Sequence, residues 1–261
     1  MRMHAAEFIG VKKQFGGRGQ DPSPPALENF EVTIREREFF CLLGPSGCGK
    51  TTALTLLAGF EMPTSGQALH RGQPVRGPSA DRGVVFQGDD SLMPWLTARD
   101  NVLLGPRIQG LEKAEQGEIA ERLLKLVGLD GHGHKYPREL SGGMKQRIQI
   151  ARVLATEPDM LLMDEPFAAL DAQTRGQMQD ELTRIWSSSR RTVLFITHDV
   201  VEALILGDRV GVMHAGPRSS IREIFPIDLP RPRDRTDPEL LKIYRRIQEI
   251  LAEEVQRSRA E

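Results

Sequence analysis

The stretch EFFCLLGPSGCGKTTALTLLAGF, residues 38–60, decides the fold of this chain. Its apolar first part is typical of a fully buried strand, residues 44–51 match the phosphate-loop pattern G-x-x-x-x-G-K-S/T, and a helical pattern follows. In such a loop the backbone N–H groups surround nucleotide phosphates, Lys50 reaches the β and γ oxygens, and Thr51 offers its hydroxyl to Mg²⁺. An ordinary glycine-rich turn is the alternative, but the strand and helix on either side favour a nucleotide site.

The composition is that of an ordinary globular protein and argues against several classes of partner. Of the 261 residues, 39% are hydrophobic and 27% are charged, with 35 Lys and Arg against 36 Asp and Glu. This balance predicts no nucleic-acid surface and no general attraction to anionic lipid. Cys41 and Cys48 have neither disulfide-framework nor metal-ligand spacing, so a reducing cytoplasm is the simplest compartment.

Neither a secretory signal nor a membrane span is expected. The first ten residues, MRMHAAEFIG, lack the apolar core of a signal peptide. Residues 39–60 carry only one charge, but the phosphate loop interrupts them, and a spanning helix needs about 20 uninterrupted apolar residues.

Three further apolar runs end in polar residues, as strands of an open parallel sheet do at a ligand crevice. They are GVVFQ (83–87), DMLLMDEP (159–166) and TVLFITHD (192–199). Between the first two runs, helical periodicity replaces the strand pattern over about 70 residues. We therefore predict an α/β core in residues 1–88 and 159–225, with a helical subdomain in residues 89–158.

The helical subdomain carries one capping pattern and two apolar faces. Thr97 and Asp100 in TARD predict a capping box that opens its first helix. The predicted faces are Ile119, Leu123, Leu124 and Val127 on one helix and Met144, Ile148, Ala151 and Leu154 on another.

Residues 226–261 are predicted to form a linker followed by an amphipathic helix. The segment DLPRPRDRTDP (228–238) has three Pro and three Arg in 11 residues, and these prolines exclude a helix interior. Asp237 and Pro238 are a good N-cap and first helical residue. We expect the helix to pack on its own domain through a stripe of Leu240, Ile243, Tyr244, Ile247, Leu251 and Val255.

Asp164 and Glu165 in LLMDEP supply the second half of a nucleotide site. Asp164, at the end of an apolar run, can hold Mg²⁺ through water, and Glu165 can take a proton from the attacking water. Adjacent strand residues point to opposite faces, so a strand end or turn has to bring both acids to one side. Paired acids at a strand end are often only solvated, but the upstream phosphate loop favours a functional role.

A second anion site is predicted at LSGGMKQR, residues 140–147, where a serine and two glycines open a helical pattern. A helix N-terminus with open amides and its positive dipole end attracts phosphate. An N-cap with flexible glycines is the alternative, and a chain with one phosphate loop has no evident need for two phosphate sites.

The order of these motifs resembles that of ABC-type ATPase subunits. The matching stretches are GPSGCGKTT (44–52), Gln87, LSGGM (140–144), LLMDEP (161–166), AALD (168–171) and His198 in ITHD. The resemblance implies a P-loop NTPase, RecA-like core with a parallel sheet, an ABC-type antiparallel β portion and an inserted helical subdomain. It also implies a homodimer in which each ATP lies between the phosphate loop of one subunit and the signature motif of the other, which explains the second anion site.

The resemblance implies a role for each matching residue. The ATP-binding residues would be Phe15, which stacks on adenine, and Gly44, Pro45, Ser46, Gly47, Cys48, Gly49, Lys50, Thr51 and Thr52. The residues around Mg²⁺ would be Thr51, Gln87 and Asp164. Glu165 would be the general base, with His198 and Gln87 as further catalytic residues. The signature Ser141, Gly142, Gly143 and Met144 would contact the opposite subunit's ATP, and Asp171 would cross the dimer interface.

Two positions depart from the usual family pattern. Met144 stands where the family usually carries Gln, which leaves Ser141 and the glycines to contact phosphate. Phe15 stands where Tyr is more common at the adenine; Phe8 is its competitor, but its place within a strand favours a core role.

Several shorter sequence stretches resemble one importer branch of this family, the ATPases of nitrate, sulfonate and taurine uptake systems. The stretches are DRGVVFQ, LMPW, RDNV, FAALDAQTR, THDVVEAL and LPRPRDR. This resemblance implies integral membrane permease subunits, an indirectly associated periplasmic or lipid-anchored solute-binding protein, and no nucleic acid. The chain would be cytoplasmic, peripheral on the inner face of the membrane, with Pro94 and Trp95 near the permease. An aromatic in a loop is as often a local packing anchor as a partner contact, so this alternative stays open for Trp95.

Two other classes remain as alternatives. A soluble ABC ATPase of translation or DNA repair would usually join two ATPase halves or insert long coiled coils, and neither pattern is present. A nucleotide kinase or GTPase would need an acceptor site or a base-reading motif, and LSGGM argues against it.

Overall fold

The computed structural model describes residues 4–16, 23–87, 91–168, 170–189 and 191–260, without the side chains of residues 189 and 258–260. The chain forms two compact units, residues 1–79 with 190–261 and residues 80–189. The C-terminal residues after 226 belong to the first unit.

The elements of each unit follow in chain order. The first unit contains β1 (His4–Lys13), β2 (Leu27–Arg35), β3 (Phe39–Leu43), α1 (Lys50–Ala58), β4 (Ser65–His70), β5 (Gln73–Pro74), β8 (Thr192–Thr197), α7 (Val200–Leu206), β9 (Arg209–Met213), β10 (Ile221–Pro226) and α8 (Pro238–Ala260). The second unit contains β6 (Arg82–Val85), α2 (Ala98–Val102), α3 (Leu104–Ile108), α4 (Lys113–Leu126), a short 3-10 helix (Pro137–Glu139), α5 (Gly142–Leu154), β7 (Met160–Asp164) and α6 (Ala172–Ser189).

An antiparallel sheet in the order β2-β1-β4-β5 forms one part of the first unit. β1 lies between β2 and β4, with Phe8 opposite Val32 on one side and Ala68 on the other. Along β2, Phe30, Val32 and Ile34 are buried and alternate with more exposed neighbours, because the sheet has one face in the core and one face nearer water. The predicted antiparallel portion is thus confirmed.

The parallel strands of the first unit surround β3. Leu42 lies opposite Ile196 of β8 and Gly211 of β9, and β10 pairs antiparallel with β9. Every residue of β3 is buried, because this strand has neighbours on both sides and is covered on both faces. The buried strand predicted before the phosphate loop is confirmed.

In the second unit, β6 and β7 pair in parallel and helices lie between them in sequence. Thr97 is the N-cap of α2: its hydroxyl oxygen accepts from the Asp100 amide at 3.1 Å, and its hydroxyl donates to the Asp100 carboxylate at 2.6 Å. The predicted apolar faces are buried at Ile119, Leu123, Leu124, Val127, Ile148, Ala151 and Leu154. Met144 is only half-buried at the first turn of α5.

Helix α8 starts where the sequence predicts, and its buried face agrees with the predicted stripe in part. The Asp237 carboxylate accepts from the amides of Glu239 at 2.8 Å and Leu240 at 3.4 Å, which confirms the N-cap. Leu240, Ile247 and Ile250 are buried, whereas Val255 is exposed, so the predicted stripe is wrong at Val255.

Across the described ranges, no helix is both long enough and apolar enough to cross a membrane.

The residue that replaces Val255 in the buried face of α8 is Glu254, which is only 2% exposed. Its carboxylate accepts from the Ala215 amide at 2.8 Å and contacts the His214 Nδ1 at 3.1 Å and the Arg222 guanidinium at 2.5 Å. Burial alone would raise the pKa of Glu254, but the hydrogen bonds from Ala215, His214 and Arg222 outweigh it and lower that pKa. This carboxylate therefore fixes α8 to β9 and β10.

We predict that Glu254→Gln lowers the free energy of unfolding by about 1–3 kcal/mol at pH 7, because buried donors lose their charged acceptor. The matched control is Glu253→Gln, whose carboxylate also meets Arg222 but is 56% exposed; it should cost less than about 0.5 kcal/mol. Urea unfolding measures both.

The pH dependence of this stabilisation has a defined sign. Because folding lowers the pKa of Glu254, the carboxylate stabilises the fold above its ordinary pKa of 4.5 and loses this effect as the pH falls through the folded value. The difference between the wild type and Glu254→Gln should therefore shrink in acid. Equal losses for the two Gln variants at pH 7 would contradict a docking role for Glu254.

Candidate active site

The phosphate loop leaves β3 and enters α1 through two left-handed glycines. Gly47 has φ +80° and Gly49 has φ +92°, a region that residues with a Cβ rarely adopt. A Cβ on Gly49 would lie 2.7 Å from the Leu27 Cδ2 and 3.2 Å from the Ala26 carbonyl oxygen. Glycine is therefore required at position 49 both by its backbone conformation and by the closeness of β2.

Lys50 is the first residue of α1 and is held by the loop itself. The residue is only 6% exposed. Its ammonium donates to the carbonyl oxygens of Gly44 at 2.8 Å and Pro45 at 2.9 Å. Two carbonyl acceptors fix the position of the charge beside the backbone amides of the loop. The helix N-terminus adds its positive dipole end, so this region is suited to anionic phosphate.

The other loop residues differ in exposure. Ser46, Gly47 and Thr51 are exposed, whereas Thr52 is half-buried. Cys48 is fully buried, and a Cβ on Gly44 would lie 2.8 Å from its Sγ. Burial raises the pKa of the Cys48 thiol although the Lys50 ammonium opposes this shift, so the thiol stays neutral and fills space.

The two aromatic candidates, Phe8 within β1 and Phe15 after it, have different surroundings. Phe8 is buried and meets Phe30 edge-on, with ring centroids 5.1 Å apart, which confirms its core role. Phe15 follows the strand and is 44% exposed, with the Lys13 ammonium 4.8 Å from its ring centroid. Phe15 is therefore partly accessible, and its contact with adenine stays a prediction.

His198 lies exposed at the carboxyl end of β8. Because β8 and β3 pair in parallel, with Thr197 opposite Leu43, His198 and the phosphate loop leave the same edge of the sheet. The neighbours of His198 are strongly fixed: the Thr197 hydroxyl donates to the Glu202 carboxylate at 2.5 Å, and Asp199 caps α7.

Asp164 and Glu165 lie in the second unit, at the end of β7. Asp164 is the last strand residue and is buried, and Glu165 follows with φ +42°, an uncommon value for a residue with a Cβ. The strand therefore ends between the two acids, as the sequence argument requires. Such a conformation typically costs about 1–3 kcal/mol and is concentrated at functional sites.

Gln87 is exposed and follows β6. The parallel pairing of Val85 with Met163 puts Gln87 and Asp164 at the same end of the two strands. The second unit thus brings an amide and a carboxylate together at one sheet edge.

Residues 88–90, which open the segment that we expect to meet a permease, lie outside the described residues.

The loop that presents Trp95 is fixed by a side chain that the sequence analysis did not single out. Asn101 is fully buried; it accepts from the Met93 amide at 2.8 Å and donates to the carbonyl oxygens of Met93, Leu96 and Thr97. Trp95 is 69% exposed on this loop. Asn is a weak helix former, so its place inside a predicted helix is a sequence signal for a side chain that bonds to nearby backbone groups.

The signature motif opens α5 and lies beside the cap of α6. Ser141 is exposed, and its hydroxyl oxygen accepts from the Met144 amide at 3.3 Å. Gly142 is exposed, while a Cβ on the buried Gly143 would lie 3.0 Å from Thr174. Ser141 is therefore the N-cap of α5, with Gly142 and Gly143 in the first turn of the helix. A phosphate contact of this motif stays a prediction.

Asp171 precedes α6 and caps its first turn. Its carboxylate accepts from the Thr174 amide and from the Thr174 hydroxyl, both at 2.9 Å. These two hydrogen bonds lower the pKa of Asp171, so the side chain is an anion in the neutral range. A role at a dimer interface stays a prediction.

Comparison with known proteins agrees with this geometry. A family profile described as ABC transporter matches residues 27–168. An uncharacterized ABC transporter ATP-binding protein of Methanocaldococcus jannaschii is 52% identical over 233 residues, which are 89% of this chain and 86% of that protein. The nitrate import ATP-binding protein NrtD of Synechococcus elongatus is 49% identical over 212 residues, 80% of this chain and 77% of its own.

A solved structure is also similar. It is the dimeric structure of a post-hydrolysis state of an ATP-binding cassette bound to ADP and Pi. Its TM-score is 0.72 at 29% identity, and the match covers 86% of this chain and 100% of that chain.

Proposed function

Because this chain belongs to the family of ABC transporter ATP-binding proteins, we propose that it is the ATPase subunit of a system that imports a small organic or inorganic anion, such as nitrate, a sulfonate or taurine. The observation that carries the hydrolytic part is the strand end at Asp164, where Glu165 turns with φ +42°. The nitrate import relative supports the transported class.

The donor atoms of the residues assigned to Mg²⁺ are of the type that this ion prefers. Thr51, Gln87 and Asp164 offer hydroxyl, amide and carboxylate oxygens, the type of donor that Mg²⁺ prefers. Thr51 and Gln87 are exposed, and Asp164 stands at the carboxyl end of its strand. When bound there with ATP, the ion would neutralise charge on the β and γ oxygens.

The protein groups then carry out binding and proton transfer. The amides of residues 44–51 and the Lys50 ammonium hold the phosphates, and Phe15 stacks on adenine. Glu165 accepts a proton from water as the water oxygen attacks the γ-phosphorus and the bond to the β–γ bridging oxygen breaks, giving ADP and phosphate. His198 donates a hydrogen bond to the γ-phosphate as charge develops.

Two copies of the chain complete each site. Ser141 and the amides of Gly142 and Gly143 face the γ-phosphate held by the other subunit, and Asp171 lies at the interface between copies. The exposure of Ser141 and Gly142 at the N-terminus of α5 supports this arrangement, as does the dimeric state of the similar cassette. An isolated monomer would then turn over ATP poorly.

Coupling to transport uses the loop at residues 91–97. Pro94 and Trp95 are exposed on a loop that Asn101 fixes, and an exposed aromatic on a rigid loop is suited to partner contact. We place permease subunits there and the chain on the cytoplasmic face of the membrane. A separate solute-binding protein would choose the solute.

We predict that Glu165→Gln binds ATP normally but hydrolyses it roughly 10²-fold more slowly or worse, because the general base is lost. The matched control is Glu157→Gln, since Glu157 is also a glutamate with positive φ, +52°, and lies outside the site. Nucleotide titration and steady-state ATPase assays measure the two steps. Near-normal turnover of Glu165→Gln would remove Glu165 from this role.

We predict that two inactive variants complement each other when mixed. Lys50→Ala disables the phosphate loop and Ser141→Arg disables the signature motif, so each heterodimer contains one intact composite site. Random pairing should restore roughly a quarter of the wild-type sites. ATPase activity and the number of nucleotides retained per dimer measure the gain, and a mixture as inactive as its parents would contradict the shared site.

We predict that the purified complex contains an integral membrane protein and that Trp95→Ser weakens its recovery, because an exposed aromatic anchor is removed. Phe60→Ser is the control, since Phe60 is also an exposed aromatic at 48%. Affinity capture from native membranes with quantitative mass spectrometry measures the ratio. Capture of a ribosomal or DNA-repair complex instead would favour a soluble, non-transport ABC ATPase.

A further inference from the structure

The proline-arginine segment at residues 229–233, here called the Pro-Arg clamp, holds the C-terminal end of α7. The guanidinium of Arg233 donates to five carbonyl oxygens. They belong to Leu204 (2.6 Å), Ile205 (3.3 Å), Gly207 (2.5 Å), Ile227 (3.1 Å) and Leu229 (3.2 Å). Because the last carbonyls of a helix lack partners within it, Arg233 satisfies them and adds a positive charge at the negative end of the helix dipole.

Arg231 completes the Pro-Arg clamp. Its guanidinium donates to the Leu206 carbonyl oxygen and pairs with the Asp208 carboxylate at 2.6 Å. The Arg231 side chain is only 13% exposed, and burial lowers the pKa of Arg233 to about 10, which leaves it charged at neutral pH. Both guanidinium groups are therefore turned into the protein rather than towards solvent or lipid headgroups.

The N-terminal end of α7 is fixed by a second set of contacts, and His198 lies among them. The Thr197 hydroxyl donates to the buried Glu202 carboxylate at 2.5 Å, and the Asp199 amide donates to the Thr197 hydroxyl oxygen at 2.9 Å. Asp199 in turn accepts from the amides of Val201 at 2.8 Å and Glu202 at 3.2 Å. The backbone on both sides of His198 thus belongs to the α7 cap.

Helix α7 is short enough to couple its two ends. It has seven residues, which span about 10 Å at the usual rise per residue. Leu204, Ile205 and Leu206, whose carbonyls receive the guanidinium groups, are buried, and a tightly packed short helix shifts as a unit rather than by bending. A change at its C-terminal end would therefore move the backbone that carries His198.

We propose that Arg233, assisted by Arg231, is a positioning residue for His198: the Pro-Arg clamp sets the place of α7 and thereby the direction from which His198 meets the γ-phosphate. This inference rests on the proposed role of His198 in ATP hydrolysis. It assigns a function to a C-terminal segment that the sequence predicts only as a linker.

The test compares Arg233→Ala, Arg233→Lys and the control Arg235→Ala in the purified full-length chain. Arg233→Ala should lower kcat about 10-fold with the KM for ATP changed less than about twofold, because His198 acts on the transition state rather than on ATP binding. Arg233→Lys keeps a charge but loses the planar fork, so it should recover only part of kcat. Arg235→Ala, two residues beyond the Pro-Arg clamp, should leave kcat unchanged.

A double-variant cycle separates positioning from general damage. In a His198→Ala background, under single-turnover conditions with excess protein, Arg233→Lys should reduce the rate by less than about twofold, since the residue through which it acts is gone. The His198 side-chain ¹⁵N signals should shift in Arg233→Lys and stay in place in Arg235→Ala. Thermal melting confirms that Arg233→Lys is folded.

Two distinct results would separate the failure of this inference from the failure of the proposed function. Wild-type kcat in His198→Ala would remove His198 from hydrolysis and with it the basis of the inference. If His198→Ala lowers kcat but Arg233→Ala has the wild-type kcat, only the positioning role is overturned. The same conclusion follows if the rate losses of His198→Ala and Arg233→Lys are additive in the double variant.

Discussion

The close approach of the phosphate loop to the start of β2 is the constraint on which the first unit depends. At Gly49 the backbone is left-handed and so near Leu27 and the Ala26 carbonyl that a Cβ has no room. The same turn starts α1 at Lys50 and lets its ammonium reach the carbonyls of Gly44 and Pro45. A larger residue at position 49 would have to push β2 away or unwind the first turn of α1, and either change would displace the charge that meets phosphate.

Parallel strand pairing brings polar residues to one end of the sheet within each unit. In the first unit β3 and β8 run side by side, so the loop after Leu43 and His198 after Thr197 leave one edge. In the second unit β6 and β7 do the same for Gln87 and Asp164. Each unit thereby carries polar groups at the carboxyl ends of its parallel strands. His198 and Gln87 are exposed there, whereas Lys50 and Asp164 are buried.

The C-terminal part contributes to the first unit through two charged side chains and their hydrogen bonds. Glu254 ties α8 to the ends of β9 and β10, and Arg233 closes the end of α7. Both side chains serve backbone groups that would otherwise be buried without partners, and such groups cost more when left unsatisfied than their hydrogen bonds contribute on average. The segment that follows β10 is therefore a structural part of the unit that holds the phosphate loop.

The sequence by itself determined the features that short-range patterns encode. The strand, loop and helix around Lys50, the N-caps at Thr97 and Asp237, and the acids that end β7 all depend on residues within one or two turns of each other, so their spacing could be interpreted directly. The family motifs extended the same local information to predicted roles for Phe15, Ser141 and His198. These assignments needed no knowledge of which segments meet in space.

Only the tertiary structure decided which polar groups meet across the chain. The Glu254 carboxylate finds His214 at a separation of 40 residues, and the Arg233 guanidinium finds the Leu204 carbonyl at a separation of 29. An amphipathic pattern assigns position 254 to the edge of a polar face and position 255 to the apolar stripe, because periodicity records side-chain polarity and not the partner that can neutralise a buried charge. Local pattern thus determined the elements and the chemistry they carry, whereas long-range packing decided where buried charges and helix ends are satisfied.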